Sequence, residues 1–289
     1  MHGLVEAKGK TIDPVMGEGS LAPRGGTQKD PIDYWEDRLA RHGGLRGVGH
    51  ISHSTEFNQR LYELKRRVFS RALAATSLDL AHARVLDVGS GSGFVVEEWI
   101  RLGANTVVAS DFTSVATGNL RTKLPDLEVV QLDIGASGDL ASLGRFDAVS
   151  AFEVLFHITD DGRYRQALRN IASLLRPGGF FFYTDNFVHS RVLRTTYQVN
   201  RTLSEITGSI ESVGLRIERR SPLAIFMAPP VDMASPVWLR MWQKTIGRAA
   251  RGRRAGRVIG TFLLPVDSLL TRLPFDGPSV ELMICRRVT

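Results

Sequence analysis

Val85-Leu86-Asp87-Val88-Gly89-Ser90-Gly91-Ser92-Gly93-Phe94 is an apolar run that passes straight into a glycine turn and then into helical spacing. Glycine tolerates positive φ and carries no side chain, so such a turn brings backbone amides close to a ligand at a helix start. Two nucleotide-binding patterns share this outline. The dinucleotide fingerprint wants a third glycine at the position of Phe94, and the Walker loop wants Gly-Lys-Ser/Thr, which this stretch lacks. Nicotinamide chemistry and nucleotide hydrolysis both recede. A buried strand, a tight turn and a helix do make the first βα unit of a parallel sheet.

Outward from that unit, short apolar runs recur at 84–88, 106–110, 127–132, 146–152 and 179–184, with longer amphipathic segments between most of them. A helical pattern follows at 203–213, then a strand-like stretch at 215–227 and a closing strand at 279–288. The alternation predicts an α/β, Rossmann-like three-layer sandwich. Before it, residues 1–30 are rich in Gly, Pro and Lys without an apolar period, and read as a disordered tail. Residues 31–80 read as an N-terminal helical cap: Ile32, Trp35 and Leu39 recur at helical spacing, a glycine-rich loop follows, and Phe57, Leu61, Leu64 and Val68 mark a second helix. The main domain then occupies 81–289, with a helical insertion at 232–273.

Composition narrows the class. Of 289 residues, 43% are hydrophobic and 23% charged, which excludes collagen-like, coiled-coil and wholly disordered chains. The single cysteine, Cys285, forbids an intrachain disulfide and a thiolate metal cluster. With no leader-like start and no run of about 18 apolar residues, the expected location is cytoplasmic. A formal charge of +7 favours an anionic partner without choosing among nucleic acid, phosphorylated substrate and acidic membrane.

The pattern Asp87, Gly89, Gly91, Gly93 resembles motif I of the class I S-adenosylmethionine-dependent methyltransferases. The resemblance continues with Asp111 ending the second strand, Asp133 after the third, and Leu175-Arg176-Pro177-Gly178-Gly179 before the fifth. It covers roughly 85–184 and the final strand, and implies a seven-stranded, mostly parallel sheet whose last strand is antiparallel. It also implies S-adenosylmethionine as cofactor, cradled by Gly89, Ser90, Gly91 and Gly93. On that reading Asp111 accepts the ribose hydroxyls, Phe112 offers a face to the adenine, Asp133 accepts from the adenine amino group and the Ile134 amide donates to a ring nitrogen. Asp87 and the carbonyl of Phe152 or Glu153 face the methionine ammonium.

Methyl transfer to a hydroxyl needs an aligned lone pair and a base near the ends of the fourth and fifth strands. His157, in Phe152-Glu153-Val154-Leu155-Phe156-His157, is the candidate base, its ordinary pKa suiting proton removal near neutrality; the alternative is a histidine that pins the loop. This segment is similar to the Glu-Val-x-Glu-His motif of the ubiquinone-pathway O-methyltransferases, in which two Glu and the His resemble a divalent metal site. Phe156 replaces the second Glu here, so no metal is expected. Asp185, Asn186 and His189 are expected to line the acceptor pocket or cap the next helix. Tyr62, Arg66, His50 and His53 are candidates to close over it.

These readings lead to a methyltransferase acting on a small-molecule acceptor, more readily at oxygen. An RNA methyltransferase and a non-catalytic cofactor-binding relative are the alternatives; the absence of Asn/Asp-Pro-Pro-Tyr/Phe after strand four and of an RNA-binding module argues against nucleic acid. The insertion opens with Ser235-Pro236, a good helix start. Arg240, Lys244, Arg248 and Arg251 then share one face, which suits either peripheral contact with an anionic membrane or a lid with a solvated basic side.

Overall fold

The computed structural model describes residues 31–41, 44, 48–49, 52–233 and 235–288. The expected disordered tail and His50 lie outside the described residues. A seven-stranded sheet runs in the order β3-β2-β1-β4-β5-β9-β8, formed by β1 (Arg84–Val88), β2 (Thr106–Asp111), β3 (Glu128–Gln131), β4 (Phe146–Phe152), β5 (Leu175–Asp185), β8 (Leu215–Pro222) and β9 (Glu281–Arg287). Strands β1 to β5 pair in parallel, and β9 is antiparallel to both β5 and β8. The strand order reverses at β1, between β2 and β4, which opens a crevice at the carboxyl ends of those strands.

Side chains alternate across the sheet and are buried on both sides. Val85, Ala109, Ala148, Phe182 and Ile284 face one hydrophobic layer. Leu86, Val108, Val149, Phe181 and Met283 face the other. The first layer is built by α2 (Thr55–Ala74), α3 (Phe94–Leu102) and α9 (Arg253–Leu270), the second by α5 (Asp161–Leu174) and α6 (Leu203–Ser212). Helix starts follow their local chemistry: Ser54 accepts the Phe57 amide, Asp160 accepts that of Arg163, and Thr202 with Glu205 forms a capping box. Two more helices complete the N-terminal part and the β2–β3 connection, α1 (Pro31–Arg41) and α4 (Ser114–Lys123).

The insertion departs from the single helix expected after Ser235. It breaks into α7 (Pro236–Lys244), α8 (Ile246–Arg251) and α9, with non-helical backbone at Thr245 and Gly252. Trp242 explains the first break, because its ring lies over Gly247, where an added Cβ would stand 2.8 Å from it. The apolar run at 258–264 is the middle of α9, which lies along α2. Gly256 makes that approach possible, since a Cβ there would sit 2.4 Å from Ser54 Oγ. A small hairpin, β6 (Leu193–Arg194) with β7 (Val199–Asn200), also follows β5, too short to leave a period in the sequence.

Candidate active site

A cavity of about 560 Å³ lies at the carboxyl ends of β1, β2 and β4. Its floor is the glycine turn, its walls are the residues after β3, β4 and β5, and Ile32, Trp35, Arg38 and Leu39 of α1 form part of its lining. All the residues expected to hold the cofactor line it except Gly93, which forms the left-handed cap at the start of α3. Gly89 and Gly91 adopt φ of 66° and 50°, a region that side chains avoid. A Cβ on Gly91 would lie 2.6 Å from Val48 Cγ1, and one on Gly89 would lie 2.5 Å from Val154 Cγ2. Ser90 locks the turn to β2: its amide donates to the Ser110 carbonyl at 2.8 Å, and its hydroxyl donates to the Asp87 carbonyl at 3.0 Å.

Parallel pairing brings the carboxylates to the same end of the sheet, with Asp87 opposite Ala109 and Asp111 two positions further along β2. Asp87 is buried and accepts from Ser150 Oγ at 2.5 Å, while Trp99 Nε1 donates to that hydroxyl at 2.9 Å. Burial pushes the Asp87 carboxyl up to about 7, against the relief from its hydrogen bonds. Asp111 accepts the Gly91 amide on Oδ2 at 3.0 Å and both the amide and hydroxyl of Thr113 on Oδ1 at 3.0 and 2.7 Å. Burial raises this carboxyl as well. Since a carboxylate offers about four acceptor positions, one position remains for a ligand hydroxyl, not the two that a pair of ribose hydroxyls would take. Asp133 accepts from the Gly135 amide at 3.0 Å and pairs with Arg163 at 2.5 Å. Phe112 is half-buried, and its carbonyl accepts from Gln131 Nε2 at 3.1 Å.

Glu153 carries the one positive φ outside glycine among the described residues, 58°. Such backbone costs about 1–3 kcal/mol and persists only where the surroundings impose it. Its amide donates to Thr184 Oγ1 at 2.9 Å, and its carboxylate accepts from the Lys65 ammonium of α2. Lys65 is itself buried and lies 4.5 Å from the centre of the Tyr62 ring. The pair places a cation and an anion on the cavity wall beside Phe152, whose ring meets Phe69 edge-on.

His157 closes the short 3-10 turn Leu155–His157 and lines the same cavity. Its Nδ1 lies 2.8 Å from the Tyr197 carbonyl, which can only accept, so that nitrogen carries the proton and Nε2 presents a lone pair. Burial pulls the imidazole down to about 4, below the ordinary value expected from the sequence, so His157 is neutral near pH 7 but a weaker base than a free imidazole. Trp35 meets the ring edge-on at 4.7 Å, and Tyr34 stacks on Tyr197 at 4.2 Å. Helix α1 is held over the site by Glu36, whose carboxylate accepts the Ser114 and Val115 amides at 2.6 and 3.1 Å at the start of α4.

The remaining candidates separate. Tyr62 and Asn186 line the cavity. Arg66 instead pairs with Glu98, and His53 packs against Phe57 and Trp242. Asp185 is buried beneath the wall, its carboxyl raised by burial to about 7. His189 is tied to Asp232 at 2.5 Å and to Asp276 at 3.4 Å, away from the lining. Lys65, Arg163 and Met227 line the cavity without having been singled out in the sequence, and Trp35, read there only as a marker of the first helix, lines it too. A signal for Lys65 was present, because it falls on the face of α2 that carries Leu61, Leu64 and Val68. None was present for Asp267, whose buried carboxylate accepts the Ile225, Phe226 and Met227 amides and thereby shapes the loop that lines the far wall.

Residues 85–179 match the family model described as a methyltransferase domain. A ubiquinone biosynthesis O-methyltransferase from Xanthomonas euvesicatoria pv. vesicatoria (strain 85-10) is 40% identical over 116 residues, 37% of this chain and 45% of that protein. The chain thus spans less than half the length of that relative. Among solved structures, magnesium protoporphyrin IX methyltransferase from Synechocystis PCC 6803, with bound SAM, superposes with a TM-score of 0.53 at 15% identity, covering 91% of this chain and 99% of that one. The [4+2]-cyclase SpnF superposes with a TM-score of 0.51 at 18% identity, covering 79% and 82%. Likeness at these identities establishes the fold, which serves more than one reaction.

Proposed function

We propose that this chain, a class I S-adenosylmethionine-dependent methyltransferase by its fold and by the match across residues 85–179, transfers a methyl group from S-adenosylmethionine to a hydroxyl of a small acceptor seated beside His157. The observation that carries this reading is the gathering of Asp87, Asp111, Asp133, the glycine turn and His157 around one cavity. When bound, the cofactor supplies a methyl group on a sulfonium, already electrophilic. The residues then have three tasks: to hold the donor, to align the acceptor and to receive a proton.

Asp87 and the backbone at Glu153 suit the ammonium, and a cation beside Asp87 lowers the cost of ionising that buried carboxyl. Asp111 takes one ribose hydroxyl in its remaining acceptor position. The Ile134 amide has no protein partner among the described residues, which leaves it for an adenine ring nitrogen. Asp133 keeps acceptor capacity for the amino group beside its bond from Arg163. His157 stays neutral far below pH 7, and its Nε2 takes the acceptor hydroxyl's proton as the oxygen attacks. Trp35, Phe156, Met227, Val231 and Val280 give the cavity an apolar wall against which an acceptor ring or chain can pack. The partial match to O-methyltransferases supports oxygen as the attacking atom.

A screen of phenols, sugars and lipid head groups with isotopically labelled cofactor, followed by mass analysis of products, tests the proposal. One labelled methyl on an oxygen of one acceptor class is the expected result. A chain that binds neither S-adenosylmethionine nor its demethylated product overturns it.

A further inference from the structure

From position 235 to 275 the chain carries eight Lys and Arg against a single acid, Asp267, a surplus equal to the +7 of the whole sequence. The rest of the protein is therefore neutral, and the charge that calls for an anionic partner is concentrated on the insertion. Asp267 offsets none of it at the surface, being buried against backbone amides. Arg253 and Arg257 face Glu56 at 3.0 and 3.8 Å. Arg240, Lys244, Arg248, Arg251 and Arg254 are exposed and make no ion pair among the described residues.

The same segment exposes large apolar side chains. On α9, Val258, Phe262 and Leu269 are 70%, 71% and 64% exposed. Together with Pro265 they fall at steps of four, three and four residues, a single stripe along the helix. The opposite side of α9, with Gly256, Gly260, Leu263 and Leu264, packs on α2 and the core. On α7, Val237, Trp238 and Met241 are each about half exposed, whereas Trp242 is buried and donates to the Phe226 carbonyl at 2.6 Å. A lid explains the buried side of these helices and leaves the exposed stripe without a role.

We propose that the outer face of the insertion docks on an anionic lipid bilayer. Nucleic acid would satisfy the cations but offers no apolar phase to Val258 and Phe262. A second copy of this chain would cover the stripe but bring like charges together. A bilayer surface meets both needs, with phosphates for the arginines and acyl chains for the aromatic and aliphatic groups. This inference stands apart from the assignment of methyl transfer.

The test is co-sedimentation of the full chain with vesicles of phosphatidylcholine alone or mixed with phosphatidylglycerol. Binding is expected only to the mixed vesicles and weakens with salt. Replacing Arg240, Lys244, Arg248 and Arg251 by Gln should cut partitioning on the order of 10³-fold, from the contribution of each of the four cations near an anionic surface. V258S with F262S should cut it at least about tenfold through lost apolar burial. Trp238 emission should shift to the blue on binding, and W238F should remove the shift. Unchanged thermal unfolding in every variant shows that the fold is intact. No binding to mixed vesicles at low salt overturns the proposal, as does binding indifferent to both sets of substitutions. A dimer that both sets dissolve also overturns it and assigns the stripe to self-association.

Discussion

Asp87→Asn separates what the site needs from what the fold prefers. Asp87 is buried, and its carboxyl rises from 3.8 to about 7 chiefly through desolvation. At about 1.4 kcal/mol per unit, an ionised Asp87 costs the ligand-free fold roughly 4 kcal/mol. Between these two values the folded chain holds a proton that the unfolded chain has released. Wild-type stability from this group is therefore fully present below pH 3.8, falls as pH rises, and levels off above about 7. Asparagine keeps an acceptor for Ser150 Oγ and does not titrate, although its unpartnered amide protons cost about 1–3 kcal/mol at every pH. Urea unfolding of both proteins at pH 5 and pH 8 isolates the effect, because other raised acids such as Asp185 and Glu281 cancel in the comparison. The variant should gain roughly 3 kcal/mol relative to wild type between the two pH values. Calorimetry should meanwhile show its affinity for S-adenosylhomocysteine much reduced, since the ammonium has lost its counter-charge. An identical stability difference at both pH values would refute the idea that Asp87 is held against its ionisation.

Gly91→Val should abolish cofactor binding, because φ of 50° and the contact with Val48 leave no room for a branched side chain; calorimetry checks it against an intact circular dichroism spectrum. His157→Ala should lower turnover about 10²-fold or more with cofactor affinity nearly unchanged, as a positioned base requires; an equal loss of stability would make it a structural histidine. In the wild type the acid limb of kcat/KM due to His157 should fall near pH 4 and not near 6.5, since burial keeps the imidazole of the free enzyme neutral. Activity should survive EDTA, because Phe156 supplies no ligand. Loss with EDTA and rescue by magnesium would redirect attention to Glu153, His157 and Asp185.

The sheet and the floor of the site were legible because their signals are local. A run of apolar residues ending in Asp87 and three glycines specifies strand, turn and helix within ten positions. Parallel pairing then carries the tips of β1 and β2, with Asp87 and Asp111, to one edge, so both carboxylates reach the same cavity without further information. His157 was legible by its place after β4, but its proton was not, for Tyr197 lies 40 positions away in a hairpin with no period of its own. Lys65 lies on the apolar face of α2, but Glu153, the partner its ammonium reaches, is 88 positions on and left no mark beside it in the sequence. The roof of the cavity depends likewise on Glu36 reaching the amides of α4. The sharpest division falls on α9, whose run from Val258 to Leu264 is apolar on more than one side. Sequence periodicity reports that a face avoids water, not which neighbour covers it. Only the packing of α2 against Gly256 and Gly260 decided that Leu263 and Leu264 are core while Val258 and Phe262 face outward among the arginines.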